Sequence, residues 1–381
     1  KTLEEYDRRL RLLEEEDSHE DGPVHEEKTF NPAISVILDG IYASYKNDPE
    51  DPTTISDNFI RVVYEDRAGV LWIGTNGGLN KFNRTTETFT RFQHDPDNPQ
   101  GLSADAIRVI FEDNSGVLWL GTDGGGLNKF DPTAETFTAY QGHDPAEPTS
   151  LSHNNVWSLY EDRSGVLWVG TDGGGLNKFD RTAETFTTYQ HHPADPTSLG
   201  NDDISSIYED SAGVLWIGTA GGGLNRFDRA NGTFGAFRHN PDDPTSLSDD
   251  NVRYIYEDSA NRLWIGTRTG GLNRFDRLTE TFTRFQNDPA DPNSLSANQV
   301  VSIFEDRGEV LWVGTNGGGL NKFNRAREAF AHFTNTVNDP SRLSDKMVWS
   351  IYEDQAGSLW IGTSNGLNKL DLASGISRHY R

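Results

Sequence analysis

The chain runs in short apolar bursts. From residue 60 onward, five or six mostly apolar residues ending in Tyr/Phe-Glu-Asp give way to a polar turn. There follow Leu-Trp-(Ile/Val/Leu)-Gly-Thr, a glycine-rich cluster, Gly-Leu-Asn-(Lys/Arg) and a Thr/Phe-rich stretch. Short runs rich in β-branched and aromatic residues, bounded by turn signals, read as strands. In one copy they fall at 156–162 (A), 167–171 (B), 176–179 (C) and 185–189 (D). The pattern returns seven times, with its tryptophan at Trp72, Trp119, Trp168, Trp216, Trp264, Trp312 and Trp360, a spacing of 47 to 49 residues. Four strands and their hairpins fill such a unit and leave no room for helices. Self-similar four-stranded units of this length predict an all-β, seven-bladed β-propeller. A solenoid would need atypical capping units, and here the terminal copies look like the internal ones.

The two ends compete to complete the last blade. Residues 41–53 match the D strand and following loop of the third unit, three repeat lengths upstream of it, with no A, B or C strand before them. Residues 376–380 offer a second candidate D strand. The closer N-terminal match predicts that a strand at about 40–46 closes the ring, so that the propeller spans 37–381 and its C-terminal stretch is directed away. Residues 1–36 read as a helical extension and linker, because Leu3, Tyr6, Leu10 and Leu13 recur at helical spacing among charged residues.

Composition narrows the function. Against 34 Lys and Arg stand 59 Asp and Glu, a formal charge of −25, which opposes binding to a phosphate backbone and makes nucleic acid an unexpected partner. The absence of cysteine excludes disulfides and thiolate zinc sites. No apolar run is long enough to span a membrane as a helix. The start at Lys1, without Met or signal peptide, fits a processed product or an excised part of a larger protein.

Candidate chemistry is sought where otherwise similar blades differ. At the second position of strand A stand Arg61, Arg108, Trp157, Ser205, Arg253, Val301 and Trp349. In a propeller the A strands line the central channel, so this ring sits near its mouth, where arginine forks bind carboxylate or sulfate and aromatic faces stack on a sugar or apolar group. The bland reading is that these side chains fill space or reach for water. A second varying ring follows the B-strand threonine: Asn76, Asp123, Asp172, Ala220, Arg268, Asn316 and Ser364. Asp and Asn also suit a tight turn there. Asp57, His153, Asp202, Asp203, Asp249, Asp250 and Lys346 extend the polar rim. No calcium-loop pattern accompanies these aspartates, and no cofactor or metal is expected. His19 and His25 lie in the polar linker, while His94, His143, His191, His192 and His239 recur in D–A loops with the repeat. The Glu-Asp pair closing every A strand suggests hairpin capping, since seven copies argue against acid/base work.

The cluster Gly170-Thr171-Asp172-Gly173-Gly174-Gly175 has P-loop glycine spacing, but Leu176 and Asn177 stand where Lys and Ser/Thr are required. It is read as a B–C hairpin turn needing φ > 0.

The run Tyr-Glu-Asp-Arg-Ser-Gly-Val-Leu-Trp-Val-Gly-Thr-Asp-Gly-Gly-Gly-Leu-Asn-Lys-Phe-Asp, residues 160–180, closely resembles the two-component regulator propeller repeat, and the likeness extends from about residue 40 to 381. That resemblance implies the sensory part of a bacterial signalling protein, often exported and often recognising saccharides. The expected function is non-catalytic sensing of a small anionic or saccharide ligand at the channel mouth, on the periplasmic or extracellular side of the envelope. A protein-interaction scaffold using the acidic rim is the alternative. The related streptogramin lyases imply a third reading, but the histidine-centred metal site they carry has no evident counterpart here.

Overall fold

The computed structural model describes residues 34–380 apart from 39–40, 46–49, 58–59, 84, 87, 143–146, 148, 336–341, 354–358, 364–365 and 373–375. The chain divides into two compact units, Lys1–Asn31 and Pro32–Arg381. The first, with the expected helix and with His19 and His25, lies outside the described residues. The second holds seven four-stranded antiparallel sheets and one two-stranded hairpin, without helix among the described residues. It is an all-β, seven-bladed propeller. Within each blade the order is A-B-C-D, and successive A strands lie side by side from blade one to blade seven.

Blades one to six are each sealed to the next by their tryptophan. Trp72, Trp119, Trp168, Trp216, Trp264 and Trp312 are almost wholly buried. Trp168 sits in a cluster with Leu199, Ile204, Leu215, Ile217 and Phe227 of blade four. Five tryptophans meet the strand C phenylalanine of the following blade edge-on at 5.2–5.5 Å between centroids. In blade seven Leu370 takes that phenylalanine's place. Burial of an aromatic ring with edge-to-face geometry is among the strongest terms a small interface can hold.

The Glu-Asp pair caps hairpins as expected, with a division of labour. Asp162 accepts backbone N–H groups of Ser164 and Val166 on one oxygen and the Trp168 indole N–H, at 2.7 Å, on the other. The glutamate works between blades: Glu209 accepts the backbone N–H of Arg163, a residue of the preceding blade's A–B turn, at 2.8 Å. Arg229 then bridges Asp162 of blade three and Glu209 of blade four. Arg181, Arg277 and Arg325 repeat the clamp at their own interfaces.

The expectation for the closing strand is corrected. Strand D of blade seven is Ser377–Tyr380, paired antiparallel with Gly366–Leu370. Ile41–Tyr45 instead pairs with Ile34–Leu38, and this hairpin begins inside the segment assigned to the helical linker. Both pairings join neighbours in sequence, so little loop entropy opposes them. The N-terminal hairpin lies against the last blade, Ile34–Leu38 contacting Gly366–Leu370 and Ser377–Tyr380, without joining its sheet.

Candidate functional site

The mouth is built where strand A begins. In all seven blades the A–B register slips between the first and third residues of strand A, as at Ile60/Val62 and Val156/Ser158, which leaves the second residue as the extra residue of a β-bulge. A bulge re-aims its side chain away from the regular ladder. The residue after the B-strand threonine is held to the residue just before strand A: the backbone N–H groups of Asp123, Asp172, Ala220, Arg268 and Asn316 donate to the carbonyls of Ala106, Asn155, Asp203, Asn251 and Gln299 at 2.9–3.0 Å. In blades one to six, therefore, the two varying rings of the sequence form paired positions fifteen residues apart.

The pairs differ around the ring. In blade one Arg61 Nε donates to Asn76 Oδ1 at 2.5 Å. In blade two Arg108 donates to Asp123 through Nε at 2.6 Å and forms an ion pair through Nη2 at 2.5 Å. Burial, then the Arg108 charge, lowers the Arg61 pKa against the opposing pull of Asp123 and Asp57. Blade three pairs Trp157 with Asp172, yet the indole N–H of Trp157 is buried without a hydrogen-bond partner among the described residues. Among the described residues the Asp172 carboxylate receives one contact, from Asn155 Nδ2 at 3.4 Å. Beside it, burial first and the Asp172 charge second push the Asp203 carboxyl above the usual range. In blade four Ser205 turns inward, its hydroxyl donating to backbone oxygens of Gly218 and Val252, and Ala220 brings no polar group.

Blade five is cationic: Arg253 and Arg268 occupy the paired positions, and both are exposed. Burial, then the Arg268 charge, lowers the Arg253 pKa. The next residue, Tyr254, is 37% exposed, an aromatic surface outside both varying rings of the sequence. In blade six Val301 is apolar and Asn316 Nδ2 donates to Gln299 Oε1 at 3.1 Å. Blade seven presents Trp349, half exposed, while its partner position Ser364 lies outside the described residues. Going round, the mouth reads as paired cations, an acidic and indole sector, a bare cation pair, and an exposed aromatic. The constant offset of fifteen was visible in the sequence; that it means contact was not.

The glycine cluster forms the B–C turn. Gly173 and Gly175 have φ of +84°, and a Cβ on Gly175 would stand 2.3 Å from the Tyr189 carbonyl oxygen. Its N–H groups point at protein acceptors: Gly175 donates to the carbonyl of Asp202 in blade four, and the Gly173 N–H bonds the Asp203 carboxylate. A phosphate would find those donors occupied.

The loop histidines act as ties. His94, His191 and His239 bond through Nδ1 to the carbonyls of Leu102, Leu199 and Leu247 at 2.7–2.9 Å; His143 lies outside the described residues. A surface cavity of about 530 Å³, lined by Arg226, Phe227, Arg229 and Gly235, is formed by strands C and D of blade four and belongs to different elements from the mouth. Among the described residues no group of three or more His, Asp or Glu side chains is placed to hold a metal ion, and no helix is long and apolar enough to cross a membrane.

Comparison with known proteins agrees with this architecture. The two component regulator propeller model matches seven times, at residues 54–77, 101–124, 150–173, 198–221, 246–269, 294–317 and 342–365. No curated protein sequence matches the chain. Among solved structures, the extracellular domain of a hybrid two component system from B. thetaiotaomicron is 26% identical, with a TM-score of 0.68 over 83% of this chain and 40% of that one. The extracellular domain of a one component system from the same organism is 20% identical, with a TM-score of 0.56 over 94% of this chain and 55% of that one. Virginiamycin B lyase from Staphylococcus aureus is 14% identical, with a TM-score of 0.56 over 82% of this chain and 94% of its own, a likeness of fold. The chain thus spans about half the length, or less, of the two sensor-system domains.

Proposed function

Because the chain, with its seven repeats, belongs to the two-component regulator propeller family, we propose that it is the ligand-binding propeller of a bacterial sensory system, working outside the cytoplasmic membrane. The ligand is small and anionic or saccharide, and it binds at the channel mouth without being chemically changed. One observation carries this reading: seven blades that agree in nearly every packing residue differ at the mouth, and the differences sort into charged, indole and aromatic sectors. A structural ring would gain nothing from such asymmetry, whereas a ligand touching several sectors is held in one orientation. Trp157, partly buried, and Trp349, half exposed, supply faces for stacking. A ligand spanning blades favours the ring geometry it fits best, and this differential affinity is the signal passed to the remainder of a receptor.

The relatives that are extracellular sensor-system domains support binding over catalysis. The test is a thermal-shift and calorimetric screen of neutral sugars and uronates. A hit should raise Tm in the wild type, and Trp157→Ala and Trp349→Ala should each weaken it. Wild-type binding in both variants places the ligand elsewhere. A hit from a protein partner instead, with affinity falling steeply with salt, would favour the acidic scaffold reading.

A further inference from the structure

We propose that Arg253 and Arg268 form a two-guanidinium seat for one carboxylate or sulfate group of the mouth ligand, an assignment that rests on the binding reading above and sharpens it. The argument begins with the blade's repeated backbone. Val252 pairs with Thr267, Tyr254 with Gly266, and Arg253 is the bulged residue between them, as Arg61 and Arg108 are in blades one and two. There the bulged arginine meets an acceptor fifteen residues on, Asn76 or Asp123. Blade five keeps the arginine and replaces the acceptor with a second arginine.

No acceptor compensates. Neither guanidinium makes a hydrogen bond or ion pair with a described residue, although acidic side chains outnumber basic ones 59 to 34 in the chain. The nearest candidates on the same loops are committed. Asp249 accepts the Thr269 N–H and hydroxyl on one oxygen and the Asn251 N–H on the other, and Asp250 accepts the His239 N–H at 2.6 Å. Two like charges kept together at an exposed mouth favour an anion that lies between them, and each guanidinium offers a planar fork matched to two oxygens. Burial first and the Arg268 charge second lower the Arg253 pKa, which agrees with a shared space. Tyr254, the next residue along strand A, adds an aromatic surface beside the seat. By contrast, Arg108 already holds Asp123 and is not expected to take part.

The experiment uses sodium sulfate, sodium glucuronate and glucose as probes on the whole chain. Arg268→Asn recreates the blade-one pair and so keeps the fold; Arg253→Gln removes the other fork. Because sulfate stabilises proteins in general by exclusion from their surfaces, the variants are the control. At low concentration and matched ionic strength, sulfate should raise the wild-type Tm more than chloride does, and both variants should lose the difference while Arg108→Gln keeps it. If a glucuronate binds, each variant should weaken it about tenfold, the value of one charge-assisted bond, with glucose unaffected. A sulfate response equal in wild type, Arg253→Gln and Arg268→Asn overturns the seat. Glucuronate binding that is lost in Trp157→Ala but retained at full strength in both arginine variants also overturns it, while leaving the mouth reading in place. A sulfate effect confined to the arginine pair, with no saccharide hit, upholds the seat and removes the saccharide reading.

Discussion

Glycine positions in the B–C turn separate two costs that are usually mixed. Gly124 and Gly126 sit two residues apart in blade two, with φ of +88° and +80°. A Cβ on Gly124 meets nothing within 4 Å, whereas one on Gly126 stands 2.3 Å from the Tyr140 carbonyl oxygen. Gly124→Ala should therefore cost only the left-handed backbone, about 1 kcal/mol. Gly126→Ala adds a clash with backbone that cannot move cheaply, so the loss should be clearly larger. Denaturant midpoints of the two variants decide it, and equal losses would refute the steric account. This turn was legible from the sequence because its chemistry is local. The mouth was legible only in part: Arg253 and Arg268 were each singled out as varying positions, but their meeting depends on a bulge that no residue type announces.

Strands and turns are tied by charges that reach between blades. Arg229 holds Asp162, whose carboxylate is fully buried, together with Glu209 of its own blade. Arg229→Ala should cost about 1–3 kcal/mol, because Asp162 keeps its backbone and indole donors but loses a charged one. Blade two has Pro132 at the equivalent place, so Asp66 of blade one has no such clamp from it. Pro132→Arg should raise stability by up to about 1 kcal/mol, the range of a partly exposed pair, and an unchanged melting temperature would count against the clamp as a transferable device. The capping aspartate was readable in sequence, since its partners lie two to six residues away. The glutamate's partner is a backbone N–H 46 residues distant in the case of Arg163 and Glu209, a distance at which no local pattern speaks.

At the scale of the ring, blades two to five carry tyrosines whose phenols burial favours in the neutral form. Burial raises the pKa of Tyr140, Tyr160, Tyr189 and Tyr256, and pushes Tyr208 up to about 12. A phenol whose folded pKa lies above its unfolded value near 10 favours the fold below pH 10. That contribution falls away as the pH climbs above 10 and through the folded pKa, about 12 in the case of Tyr208. Circular dichroism and tyrosinate absorbance followed together should show ionisation and unfolding in one alkaline transition; full ionisation near pH 10 with the fold intact would contradict it. Seven-fold architecture was evident from periodicity alone. The closing strand was not, because two segments carried nearly the same pattern and only their distance along the chain from a partner separated them.

Since Ser377–Tyr380 completes the last sheet from its own stretch of chain, all seven blades are continuous cassettes, and each carries its mouth pair whole, fifteen residues apart. Recognition and inheritance then share one unit. If the mouth binds ligand as proposed, exchanging a single cassette by recombination rewrites one of its sectors and leaves six untouched, so ligand preference can be respelled a blade at a time without redesigning the ring.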